Sequence, residues 1–207
     1  MKPHAVIVLA AGGSRRLGRP KQLLRRDGET LVHRMTRLAL DTAPDRLLVV
    51  CGGYAEEVGT AMQDLPVELL INTHWQDGLG GSLRVAASAL ARHLGPTLIL
   101  SCDQPALTTK HLQKLVDLAQ DTPSGCAATA HGERIGIPVV VSASVLRTAH
   151  SLRGDHGLGE VLNAFPRDGL AMMTAPELQD DLDTEDDVAA AVAKGWLDPV
   201  AADGNTA

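Results

Sequence analysis

The 207 residues of this chain predict an α/β domain: a mostly parallel sheet covered by helices on both faces. Three observations predict it. Short apolar runs rich in β-branched residues, at Ala5–Ala10, Arg46–Cys51 and Thr97–Ser101, read as strands buried on both sides. Each is followed by a stretch with apolar residues at helical spacing. Strands and helices then alternate strictly through the first half of the chain, as a sheet with right-handed helical crossovers requires.

In order, AVIVLA opens into Gly12-Gly13 and a polar, basic segment ending in Gly18-Arg19-Pro20-Lys21. Over 29–40, Leu31, Val32, Met35, Leu38 and Ala39 share one helical face. RLLVVC ends at Gly52-Gly53, followed by a helix over 55–65 and a short strand over 67–71. Residues 72–82, NTHWQDGLGGS, read as a loop, and an alanine-rich helix over 83–93 follows. TLILS ends in Cys102-Asp103-Gln104-Pro105, and Thr108 caps a helix reaching residue 120.

The second half is less regular. Strands over 126–130 and 138–141 flank a turn at 131–137, and a short helix covers 145–150. Arg153-Gly154-Asp155-His156-Gly157 leads into a helix ending at Ala164, and a strand over 170–173 and a helix over 184–193 close the pattern. Residues 1–194 read as one domain with neither repeat nor linker. Residues 195–207, small and polar with one Trp, read as a flexible tail.

A net charge of −6 argues against non-specific nucleic-acid binding, which needs a basic face. With 2% aromatic residues, a bound base is expected to rest on backbone groups and small side chains rather than on stacking. Cys51, Cys102 and Cys126 lie far apart without a C-x-x-C and read as buried thiols of a reducing compartment. The eight histidines lack H-x-H or H-x-x-x-H spacing, which argues against a zinc site. No apolar run is long enough to span a bilayer. Residues 1–11 mimic a signal peptide, but the apolar part is short and cleavage would destroy the glycine loop; the expected location is cytoplasmic.

A buried strand opening into a glycine loop brings backbone N–H groups close to a ligand, and Arg16 and Lys21 add two cations. That suits a polyphosphate. The loop is neither a Walker loop, since Arg19 stands where lysine belongs, nor a G-x-G-x-x-G. Ligands of open parallel sheets bind beyond the carboxyl ends of the strands, where this loop, residues 72–82 and Asp103 converge. Asp103 reads as a fixed ligand or as a turn cap. In DDLDTEDD, the capping pair Thr184-x-x-Asp187 and the helix dipole account for Glu185, Asp186 and Asp187. They do not account for Asp183. Two fixed carboxylates, Asp103 and Asp183, at the phosphate end of a nucleotide suit Mg²⁺.

The stretch LAAGGSRRLGRPKQLL resembles the signature of nucleotidyltransferases with a glycosyltransferase-A-like fold, matching at Leu9, Ala10, Ala11, Gly12, Ser14, Arg16, Leu17, Gly18, Lys21, Leu23 and Leu24. Asp103-Gln104-Pro105, the DLDTEDD run, Asn72 with Gly78 and Ser82, Gly136-Ile137-Pro138 and Gly154-Asp155-x-Gly157 resemble motifs of the MocA-like branch of the MobA-like NTP transferases. The resemblance implies a single-domain, Rossmann-like three-layer sandwich. It implies transfer of CMP from CTP to the terminal phosphate of molybdopterin, with release of pyrophosphate and a molybdoenzyme or its chaperone as later partner. Leu-Ala-Ala-Gly is similar to the cytidylyltransferases, whereas guanylyltransferases carry Leu-Ala-Gly-Gly, so Ala11 favours CTP over GTP.

The resemblance also implies roles. Leu9, Ala10, Ala11, Gly12, Gly13, Ser14, Gly80, Gly81 and Ser82 would hold the nucleotide. Arg16 and Lys21 would hold its triphosphate, and Asp103 and Asp183 the Mg²⁺. Arg16, Lys21 and Asp103 form the catalytic set. Gln104, Pro105, Gly136, Pro138, Gly154, Asp155, His156 and Gly157 would receive the acceptor. One departure stands out: where the branch follows G-D-x-G with Ala-Arg, this chain has Leu158-Gly159. If that arginine holds the pterin's phosphate, His156 or Arg153 would have to replace it. A sugar or polyol phosphate acceptor, and a non-catalytic nucleotide-binding or cofactor-delivery protein, are the competing readings. Asp103, Asp183 and Lys21 together argue against the second, because a binder needs no metal-positioning pair.

Overall fold

The computed structural model describes residues 3–132, 134–166 and 169–199. The chain runs through β1 (Ala5–Ala10), a two-strand hairpin of β2 (Arg25–Arg26) and β3 (Glu29–Thr30), α1 (Leu31–Leu40), β4 (Arg46–Cys51) and α2 (Ala55–Ala61). It continues with β5 (Glu68–Ile71), α3 (Leu79–Ala89), β6 (Thr97–Ser101), α4 (Thr109–Gln120), β7 (Ala127–His131) and β8 (Arg134–Val141). Last come α5 (Ala143–Arg147), α6 (Gly159–Asn163), β9 (Ala171–Thr174) and α7 (Glu185–Ala193).

Seven strands form one sheet in the order β5-β4-β1-β6-β8-β7-β9. Pairing is parallel throughout except along β8, which is antiparallel to both β6 and β7. The alternation of strand side chains sends Val6, Val8 and Ala10 of β1 into a core with α1, α2 and α4. Ala5 and Ile7 go into a second core with α3, α5 and α6. Two helical layers therefore sandwich the sheet. Each fully buried aliphatic side chain contributes about 1.5–3 kcal/mol, and β1 is apolar on both faces because both are covered. This is the mostly parallel α/β class expected.

A third cluster decides where the end of the chain goes. Leu182, Val188 and Ala191 pack against Leu17, Leu24 and Leu31. They fasten α7 and the segment before it to the loop that follows β1. Because β4 and β6 flank β1 on opposite sides, the strand order switches at β1, and the crevice opens beyond the carboxyl ends of β1 and β6.

Several boundaries differ from expectation. The first helix begins at Leu31 rather than at 29, because Arg25–Thr30 forms the small hairpin. Asp27-Gly28 makes its turn with φ of 55° and 77°, an Asp-Gly pair of the primed-turn kind. Residues 72–82 are not all loop: a short 3-10 turn, Trp75–Asp77, leads directly into α3. Gly80, Gly81 and Ser82 thus form its first turn, and Gly78 at φ 98° makes the sharp entry. The turn expected at 131–137 is shorter, with Gly136 and Pro138 lying within β8. The described part of the expected tail is docked: Leu197 is buried, and the Asp198 carboxylate accepts from the N–H groups of Asp27 and Gly28, each at 2.8 Å. Residues 200–207 lie outside the described residues. Cys51, Cys102 and Cys126 are buried free thiols. Among the described residues no helix is long and apolar enough to cross a membrane.

Candidate active site

At the switch point lies a cavity of about 460 Å³, lined from β1 and its loop, the start of α3, the end of β6 and the approach to α7. Its shape begins with Gln22, which is buried. The Gln22 Nε2 donates to the carbonyl oxygens of Ala10 (3.0 Å) and Gly12 (2.6 Å). The Ser14 hydroxyl donates to Gln22 Oε1 at 3.4 Å and accepts from the Lys21 N–H at 3.1 Å. Ser14 and Gly18 take φ of 46° and 73°, and Gly18 N–H donates to the Ser14 carbonyl at 2.9 Å. The loop is therefore wound around one amide side chain, with Lys21 delivered at its end.

Lys21 is the centre of the charged cluster. Its Nζ donates to Asp103 Oδ2 at 2.7 Å and to Asp183 Oδ1 at 3.1 Å. Burial pulls the ammonium down, but the Asp103 charge, then hydrogen bonds to Asp103 and Asp183, outweigh it and hold it well above its usual range. Ser101 donates its hydroxyl to Asp103 Oδ1, fixing that carboxylate beyond β6. Arg16, mostly exposed, donates to Asp183 Oδ2 at 2.5 Å. Asp183 is set by the cap of α7: the Asp187 carboxylate accepts from the N–H groups of Asp183 (3.1 Å) and Thr184 (2.8 Å). Its own side chain is left to face Lys21.

The opposite wall is built around Trp75. A Cβ on Gly13 would stand 2.4 Å from the indole, one on Gly52 2.6 Å from Trp75 Cβ, and one on Gly53 3.1 Å from the ring. Three glycines thus make room for one tryptophan. The Arg15 guanidinium carbon lies 5.7 Å from the ring centroid, a cation–π distance. Trp75 thus places one aromatic ring in the lining of the cavity. Beside it, Asn72 Nδ2 donates to Ser82 Oγ at 3.1 Å, and the N-terminus of α3 meets the cavity, a favourable place for anionic groups.

Of the residues singled out in the sequence, Leu9, Ala11, Gly12, Gly13, Ser14, Arg16, Lys21, Ser82, Asp103, Asp155 and Asp183 line this cavity. Ala10 is buried behind it, and Gly80 and Gly81 are buried in the first turn of α3. The expected acceptor group is scattered. Gln104 is buried and donates to the carbonyls of Ile137 and Leu178, both at 2.9 Å, so it ties β6 to β8 rather than facing a ligand. The Pro105 carbonyl accepts from Arg26, and its ring lines a separate cavity beside α7. Pro138 is buried in β8, with its carbonyl taken by Thr129. His156 is exposed and pairs with Glu160 at 3.3 Å. The Gly154 carbonyl is spent on Gly80 N–H at 2.9 Å. Gly136 and Gly157 line a neighbouring apolar cavity instead.

Sequence reasoning missed Gln22, Trp75 and Gln76, which all line the cavity. A tryptophan in the glycine-rich loop 72–82 of a chain so poor in aromatics was the signal for Trp75. Gln22 carried none.

The donor set bears on a metal ion. Lys21 Nζ reaches both Asp103 and Asp183, so the two carboxylates converge on a shared point. Among the described residues no group of three or more His, Cys, Asp or Glu stands ready for a metal. Two carboxylates completed by substrate phosphates and water are what Mg²⁺ accepts. The residues fit such an ion.

Residues 6–169 match the model of the MobA-like NTP transferase domain, and the chain belongs to that family of nucleotidyltransferases. Among curated relatives, it is 30% identical over 169 residues to a nicotine blue oxidoreductase of Paenarthrobacter nicotinovorans, covering 77% of this chain and 81% of that protein. It is 32% identical over 136 residues to the bifunctional protein GlmU of Prochlorococcus marinus. That match covers 65% of this chain, which spans only 30% of the GlmU length. Among solved structures, Rv0371c of Mycobacterium tuberculosis H37Rv superposes with a TM-score of 0.78 at 26% identity, covering 92% of this chain and 98% of that one.

Proposed function

We propose that this nucleotidyltransferase moves CMP from CTP to the terminal phosphate of molybdopterin, releasing pyrophosphate, and that the product passes to a molybdoenzyme or its chaperone. The observation that carries the reading is Lys21 Nζ held between Asp103 and Asp183 at the foot of a glycine loop. The backbone of Gly12 and Gly13 and the start of α3 offer N–H groups to the nucleotide. Lys21 and Arg16 exchange their carboxylate partners for triphosphate oxygens. Asp103 and Asp183, released from those cations, would hold Mg²⁺, which neutralises phosphate charge when bound.

The acceptor phosphate oxygen forms a bond to the α-phosphorus as the bond to the bridging oxygen breaks, and that oxygen leaves with pyrophosphate. No covalent nucleophile is needed, because positioning and charge neutralisation do the chemistry. The choice of CTP rests on Ala11 in Leu-Ala-Ala-Gly.

Asp103→Asn is the test. It keeps the shape of the site and the Ser101 contact but removes a charge. Turnover should fall by about 10²–10³ while nucleotide binding, read by calorimetry, persists. Unchanged turnover would remove Asp103 from the metal site.

A further inference from the structure

Arg15, Arg16 and Arg19 stand together in the loop after β1, and they are held differently. Arg16 donates to Asp183 at 2.5 Å and Arg19 to Glu185 at 2.6 Å. Arg15 has no carboxylate partner among the described residues. It is exposed, lines the nucleotide cavity and lies over the Trp75 ring.

That ring is fixed without help from Arg15. Trp75 opens the short turn before α3, its backbone N–H donating to the Asn72 carbonyl at 3.2 Å. Gly13, Gly52 and Gly53 leave the notch that the indole fills. Gly13 lies two residues before Arg15, so the ring that the loop closes on also carries the guanidinium. An ion pair spends an arginine's N–H donors on a carboxylate, as in Arg16 and Arg19. A ring face attracts the charge and leaves the five donors open. Arg15 is thus kept at the cavity with its hydrogen-bonding capacity unspent.

We propose that Arg15 is a further ligand of the nucleotide's polyphosphate, and that Trp75 is the residue that positions it. This assignment rests on the nucleotidyl-transfer reading and extends the phosphate-binding set beyond Arg16 and Lys21. Charge balance supports it. Arg16 and Lys21 face Asp103 and Asp183, two cations against two carboxylates, so that group is neutral. A triphosphate with its Mg²⁺ remains anionic, and of the three cations lining the cavity only Arg15 is not offset by one of these ion pairs. A guanidinium fork left open also matches paired phosphate oxygens.

Calorimetry on the whole chain with Mg²⁺ tests this with a non-hydrolysable CTP analogue, CMP and inorganic tripolyphosphate as probes. Arg15→Gln should weaken the CTP analogue and tripolyphosphate by about tenfold or more and leave CMP unchanged. Trp75→Leu keeps an apolar side chain in the notch but removes the ring's attraction for the cation. It should weaken the same two probes by about two- to fivefold, and Trp75→Phe should restore them. In the Arg15→Gln background, Trp75→Leu should have no further effect. A purely structural role for Trp75 would weaken CMP as well and would persist without Arg15; either result overturns the positioning role. Equal weakening of the CTP analogue and CMP by Arg15→Gln, or no weakening of either, overturns the Arg15 assignment while nucleotide binding stands. If neither nucleotide binds the unaltered protein, the nucleotidyl reading falls, and the response of tripolyphosphate to Arg15→Gln still decides the role of Arg15. Absence of tripolyphosphate binding as well overturns both.

Discussion

Two glutamines show what a single residue contributes and what its letter conceals. Gln104 sits in a motif and turns out to be a strut between β6 and β8, whereas Gln22, an unmatched position within the signature stretch, holds up the glycine loop. Gln22→Leu strands the Ala10 and Gly12 carbonyls and should cost about 1–3 kcal/mol, read as a lowered thermal midpoint, with weaker nucleotide binding. The Trp75 wall makes a sharper prediction. Gly13→Ala drives a methyl group into the indole and should raise KM for the nucleotide. In the double variant with Trp75→Ala, the Gly13→Ala penalty should shrink, a coupling that a double-mutant cycle measures. Additive effects would mean that the glycine serves something other than the ring. Lys21 and Asp103 were legible because each follows a buried strand at the sheet's carboxyl edge. Which glutamine bonds to which carbonyl is a matter of three-dimensional approach, and residue order does not carry it.

At the scale of elements, α7 joins a legible part to an illegible one. Its capping box was readable from Thr184 and Asp187, and both reciprocal hydrogen bonds are present. That the box also fixes the backbone of Asp183, and that Leu182 and Val188 dock α7 on Leu17 and Leu24, depends on contacts across more than 150 residues, which local pattern cannot supply. Thr184→Ala should therefore cost about 1 kcal/mol of stability and also weaken Mg²⁺ affinity in a titration. Loss of stability with unchanged metal affinity would separate the cap from the site. The start of α3 was misread for a local reason: glycines at 78, 80 and 81 look like loop, yet only Gly78 needs a positive φ. Gly80 is small because the segment before Gly154 crowds it, Arg153 N and Leu152 Cβ each lying 3.1 Å from a Cβ built there, and a Cβ on Gly81 would stand 3.3 Å from Asn72 Nδ2.

Across the whole molecule, the alternating first half fixed the sheet class. The reversed strand β8 and the tail docking left weaker marks, because both depend on pairing between distant segments. Folding also ties stability to pH through His111. Burial pushes this imidazole down from 6.5 to about 4. Its Nε2 is 2.9 Å from the Thr129 hydroxyl, which itself donates to the Pro138 carbonyl, so the neutral ring donates from Nε2. Between about 4 and 6.5 the unfolded chain binds the proton that the folded chain refuses. The His111 contribution to stability is therefore present above 6.5 and is lost as pH falls toward 4. Thermal midpoints should fall more steeply over that window than in His111→Asn, and parallel curves would refute the assignment.

The central claim is nucleotidyl transfer to a phosphorylated pterin, and pyrophosphate release tests it most directly. The protein is given Mg²⁺ and each of CTP, GTP, UTP and ATP, with and without molybdenum-loaded molybdopterin. Release that requires both CTP and the pterin is the predicted result. Nucleotide binding without release under any combination, or release that prefers GTP, would contradict it.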